Sequence, residues 1–210
     1  LLRGYVLRRS YFSAWTAAWV CGAAAIAALC IRYILMPSLT QLPMDDGHIA
    51  IRSLYFTYQV GKLCAFAFFV SGTAMYVTGS RFMRSRRVVF TLAVGYAVVS
   101  MLASSSGTLN ELVVWQAPVA VAAMGTCAAL LFSLPSSRQS LGSAAGGAAF
   151  TGLAVLWLLY GVAFGSVIGG NSPAGWASIV LNYNTYLDLL LNIALGFAMV
   201  VLLMEDAKRE

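Results

Sequence analysis

An all-α integral membrane bundle of about six transmembrane helices is the fold class that this sequence predicts. Three observations carry the reading. The chain is 60% hydrophobic and only 10% charged, its apolar residues gather into long continuous runs, and most of its Lys and Arg fall in alternate connections between those runs. A soluble domain has about a quarter of its residues charged. A surface this poor in charge cannot be covered for water, and the mean hydropathy of +0.82 agrees. A transmembrane barrel would show short alternating strands instead.

Six runs reach the length a helix needs to cross the hydrocarbon core, about 17 to 20 residues. The first spans 13–36 and is expected to end before Pro37, since proline breaks a helix it enters. The second spans 52–78, and 88–105 is the third and shortest. The fourth, fifth and sixth span 111–134, 143–168 and 177–204. Residues 1–204 are read as one transmembrane domain and 205–210 as the start of a cytoplasmic helical linker. The numbered chain begins with Leu, not Met, so it is read as a piece of a longer protein. Its opening stretch is too polar for a signal peptide.

The loops fix the orientation. Arg3, Arg8 and Arg9 precede the first helix, Arg81, Arg84, Arg86 and Arg87 follow the second, Arg138 follows the fourth, and Lys208 and Arg209 follow the sixth. The alternate connections PSLTQLPMDDGHIA, SSGTLN and GGNSPAG carry neither Lys nor Arg. The positive-inside rule then places both termini in the cytoplasm. The net charge of +6 belongs to these clusters and to anionic headgroups, not to nucleic acid.

Charges inside the runs are the candidates for function. Arg32 lies near the outer end of its helix and can snorkel to the interface. Lys62 and Asp188 each lie about ten residues from the outer end of their helices, roughly 15 Å deep. Either charge alone costs on the order of 3 kcal/mol near the bilayer centre, so a Lys62–Asp188 pair is expected. Tyr55, Tyr58, Gln59 and Lys62 recur at three- and four-residue steps and share a face of the second helix. Asn184, Asp188 and Asn192 make the facing stripe, and Glu111 and Gln116 are placed to join them. Two readings follow: a network that specifies which helices pack together, or an outward-facing polar pocket that binds or senses something. A proton pathway would need a relay across the whole bilayer, and the inner halves of these helices offer none.

Gly161, Gly165 and Gly169 recur every fourth residue, as do Gly142 and Gly146. Small residues at that spacing let helices approach closely in lipid, within the bundle or in a dimer. Cys21, Cys30, Cys64 and Cys127 all fall in apolar runs, with neither metal-site nor disulfide spacing, and read as small hydrophobes. His48 beside Asp45 and Asp46 is the one histidine, a weak metal pattern in an outer loop. No nucleophile–base pairing, paired catalytic carboxylates or phosphate loop is found, so no enzymatic activity is assigned and no metal site is expected. The residues name no cofactor: pigments or lipids held by apolar contacts leave no readable motif.

The closing stretch carries a resemblance. Tyr186-Leu187-Asp188-Leu189-Leu190-Leu191, Leu195-Gly196-Phe197-Ala198-Met199-Val200, Leu202-Leu203-Met204-Glu205-Asp206 and Arg209-Glu210 resemble the last membrane helix of bacterial multi-pass sensor proteins. In that family the helix leads into a PAS, histidine-kinase or diguanylate-cyclase module. Tyr58 to Leu63 and Trp15 to Trp19 are similar to earlier helices of the same type. The resemblance covers about a third of the chain, and no output module lies within these residues. It implies a sensory or anchoring domain of a bacterial inner membrane, in which a shift of the sixth helix carries a signal inward. The alternative is a structural subunit of a larger membrane assembly. Expected partners are the lipid bilayer and either other membrane subunits or further copies of this chain.

Overall fold

In the computed structural model, residues 10–40, 46–79, 86–104, 108–170 and 175–208 are described, apart from the side chains of residues 39, 40, 86, 181, 184 and 185. All the elements among them are helical. Helix α1 is Ser10–Cys30, prolonged through Ile31–Leu35 and Met36–Thr40. Helix α2 is Ile49–Thr78, α3 Arg86–Ala103, α4 Leu109–Phe132, α5 Leu141–Ile168 and α6 Gly175–Lys208. Five of these are long and apolar enough to cross a membrane, while α3 offers a shorter apolar stretch, Arg87–Ala103.

Pro37 does not end α1, contrary to the sequence expectation. The preceding residues Ile31–Leu35 widen into a π-helical turn, in which the Met36 amide bonds to the Ile31 carbonyl. A proline ring collides with the carbonyl four residues back, and a local change to wider winding opens the room it needs. The helix therefore runs on to Thr40.

The bundle is organised around α2. In the most apolar window of each helix, 61% of α2 is buried against 11% of α1 and 22% of α6. Helix α2 packs on α1, α3 and α4; α5 packs on α4 and α6. Exposed Val20, Ile26, Leu92, Leu158, Leu190 and Phe197 form the outer surface, as expected of helices facing lipid.

Close approach is made by glycine at particular crossings. A Cβ on Gly61 would sit 2.9 Å from the Cys21 carbonyl oxygen, and one on Gly72 would overlap the Trp15 ring, so α1 and α2 run antiparallel in tight contact. On α5, Gly147 receives the Phe132 ring of α4, and Gly142 and Gly146 receive Leu202 and Ala198 of α6. Of the predicted stripe, only Gly161 packs in this way, against Ala117 of α4. Gly165 faces open space and Gly169 is the C-cap of α5. Gly142 and Gly146, the other pair at that spacing, are the ones that meet α6.

The start of α1 and the end of α6 meet at one end of the bundle, where Tyr11 donates to Asp206 at 2.6 Å. At the same end Arg138 donates to the Tyr76 and Val77 carbonyls at 3.3 and 3.2 Å, satisfying the last turn of α2. Glu205 accepts from the Gly142 amide at 3.5 Å, so a carboxylate faces the N-terminus of α5, where the helix dipole favours it. Of the predicted basic cluster, Arg81 and Arg84 lie outside the described residues, Arg86 begins α3, and Arg87 is exposed.

Candidate functional site

The polar face predicted on α2 exists, but it fans out to three separate sets of partners. Tyr55, Tyr58, Gln59 and Lys62 lie within a little over a quarter-turn of one another on the helix. Small angular differences therefore aim each at a different neighbour.

Tyr55 looks toward α1 and the first connection. Its hydroxyl donates to Asp46 at 2.9 Å and shares a 3.2 Å hydrogen bond with the Tyr33 hydroxyl. Arg32 donates to the same Asp46 oxygen at 3.0 Å, and its guanidinium lies 5.4 Å from the Tyr33 ring centroid. Arg32 is thus held by a counter-ion and an aromatic face rather than simply reaching toward the interface. The π-helical turn supplies both Arg32 and Tyr33 to this cluster. The signal was present in the sequence: a cation in an apolar run needs an acid, and the adjoining connection holds Asp45 and Asp46. Asp45 lies outside the described residues. His48 serves as the N-cap of α2, with its Nδ1 accepting from Ala50 at 3.3 Å. No group of three metal-ligating side chains occurs among the described residues.

Gln59 looks toward α3 and α4 and is fully buried. Its amide nitrogen donates to Ser100 of α3 at 3.1 Å, and its carbonyl oxygen accepts from Gln116 of α4. Ser100 in turn donates to the Ala97 carbonyl at 2.9 Å. Gln116 was expected to join the polar group and does so through Gln59. The Gln116 oxygen is buried without a hydrogen-bond partner. Glu111, the other residue placed near the group, is buried in the first turn of α4.

Lys62 looks toward α5, while Tyr58 packs on Ala25 and Ala28 of α1. Lys62 and Asp188 do not form the expected ion pair, whereas Arg32 and Asp46 do pair. Matching depth was a sound argument, but α6 packs along α5 rather than on α2. Lys62 instead places its ammonium 5.6 Å from the centroid of the Trp157 ring. That ring is edge-to-face with Phe66 at 5.4 Å and Tyr160 at 5.7 Å. Such a cation–π contact is worth about 0.5 to 2 kcal/mol, more where water is excluded. Asp188 is half-buried, within electrostatic reach of Tyr58 and Tyr160, and its Oδ1 is buried with no hydrogen-bond partner. Asn192 donates to the backbone carbonyl of Asp188 at 2.7 Å, not to its carboxylate. The Asn184 side chain lies outside the described residues.

Trp157 and Tyr160 are among the site residues that sequence reading missed. They stand three apart on α5, so they share a face. In an apolar run, however, such residues read as core or interface anchors rather than as partners for a cation and an acid. The arrangement can hold charge within the bundle and ties α2 to four neighbouring helices. Comparison of the chain with protein-family models, curated proteins and solved structures gave no match, so the site is read from its own geometry.

Proposed function

We propose that the chain is a non-catalytic input or anchoring domain of a bacterial inner-membrane protein. It crosses the bilayer six times with both ends of the bundle chain in the cytoplasm, α3 forming the shortest span. The alternation of basic residues supports that orientation, with Arg32 and exposed Arg52 at the opposite end as exceptions. One observation carries the functional reading. The continuous helix α6 bears Asp188, whose carboxylate Oδ1 is buried and unpartnered, and ends in Glu205 and Asp206, which contact α5 and α1. A cationic or hydrogen-bond-donating ligand at Asp188 would favour one setting of α6 against α5, and the glycine contacts at Gly142 and Gly146 form the surface along which it shifts.

A structural subunit is the second reading. It is favoured by the large lipid-facing share of α1 and α6 and by the apolar groove between them, lined by Phe12, Trp19, Gly196 and Phe197. Purification of the native protein under mild conditions separates the two. A covalently attached cytoplasmic module supports the input domain. A stoichiometric set of other membrane proteins with no such module overturns it.

A further inference from the structure

Cys21 and Cys64 lie far apart in sequence yet meet between α1 and α2. Cys64 is buried in a small cluster with Val60, Leu63, Ala93 and Ala97, and half-buried Cys21 packs against that cluster. The two thiols lie within electrostatic reach of each other. Gly61 stands one turn before Cys64, and the absence of its side chain lets the α1 backbone come in at the Cys21 carbonyl itself. A disulfide needs Cα atoms roughly 4.4 to 6.8 Å apart, a separation that helices reach only where small residues remove the intervening side chains. Gly61 and Ala25 bring the two backbones into close approach one turn from the cysteines. Cys127 sits elsewhere in the core and Cys30 is exposed near the far end of α1, so neither competes for this contact.

We propose that Cys21 and Cys64 form an oxidisable dithiol that closes to a disulfide clamping α1 onto α2. The two thiols give up two protons and two electrons as one S–S bond forms. The acceptor is a lipid-soluble two-electron oxidant, which reaches half-exposed Cys21 from the bilayer. Because α2 is the central helix of the bundle, the bond would fix the otherwise exposed α1 to its most buried neighbour.

The test uses the full chain in lipid nanodiscs with molecular iodine as the oxidant, which leaves as two iodides. After quenching, the protein is denatured, free thiols are alkylated and peptides are mapped by mass spectrometry. The expected result is loss of two of the four thiols, a peptide joining Cys21 to Cys64, and full recovery on reduction. Cys30→Ser with Cys127→Ser should leave the bond intact, and Cys21→Ser should abolish it. Four alkylated thiols after iodine, or a bond that includes Cys30, Cys127 or a second copy, overturns the proposal. Because alkylation is read after denaturation, a misfolded Cys21→Ser protein cannot mimic the wild-type result.

Discussion

Replacing Gln59 with Leu removes the centre of a three-helix hydrogen-bond chain, and its cost can be worked from the partners. Gln59 donates to Ser100 and accepts from Gln116. Ser100 keeps its bond to the Ala97 carbonyl, so it loses little. Gln116 is left with its whole amide buried and unpaired, since its oxygen already lacks a partner. An orphaned buried polar group costs about 1 to 3 kcal/mol. Interhelical hydrogen bonds in membranes average only about 0.6 kcal/mol, which sets the lower end. Gln59→Leu should therefore destabilise the bundle by about 1 to 2 kcal/mol, and Gln116→Leu by a similar or smaller amount. The double variant leaves no orphaned amide and should cost no more than the worse single change. A double-mutant cycle from reversible unfolding in mixed micelles or bicelles measures this. A favourable coupling of at least about 0.5 kcal/mol is expected, within the range seen for residues sharing one network. Strict additivity of the two changes would refute the reasoning.

The other predictions rest on the same contacts. Gly142→Ala should be strongly destabilising, because the new methyl group would stand 2.8 Å from the Leu202 amide nitrogen, a backbone atom that cannot turn aside. Gly165→Ala, facing open space, should be neutral or slightly stabilising, by up to about 1 kcal/mol from helix propensity; thermal unfolding of the pair checks both. Asp46→Asn should weaken the tie between the π-helical turn and α2 by about 1 kcal/mol, discounted because Asp46 is partly exposed, and should make unfolding less sensitive to salt. Arg138→Ala frees two carbonyls at the end of α2 and should accelerate amide hydrogen exchange at Gly79 and its neighbours more than elsewhere.

The helices were legible because a bilayer imposes length and apolarity on any segment that crosses it. What could not be read was how those helices sit beside one another. Lys62 and Asp188 stand about equally far into their apolar runs, but that position says nothing of azimuth or of which helix lies between, and Trp157 takes the cation instead. Pro37 reads as a stop because its local chemistry forbids a regular α-turn; a π-turn evades that rule at long range from any sequence signal. The Arg32–Asp46 contact depends on the path of a connection, which apolar periodicity does not encode. The glycine spacings pointed to close packing on α5, and Gly142, Gly146 and Gly161 do face its neighbours, while Gly165 does not. Gln59 and Gln116 were the most readable part of the site, since two amides in apolar helices have few partners other than each other.

The central claim is that α6 couples the carboxylate at Asp188 to its own far end. A fluorine probe attached at Lys208→Cys, in a chain whose four native cysteines are replaced by Ala or Ser, reports on that end by 19F NMR in nanodiscs. With Asp188→Asn, the coupled helix should show a changed population of probe signals, while Gly165→Ala should leave the spectrum as it was. Identical spectra for the unmodified helix, Asp188→Asn and Lys62→Met would contradict the account and leave the polar residues as packing determinants alone.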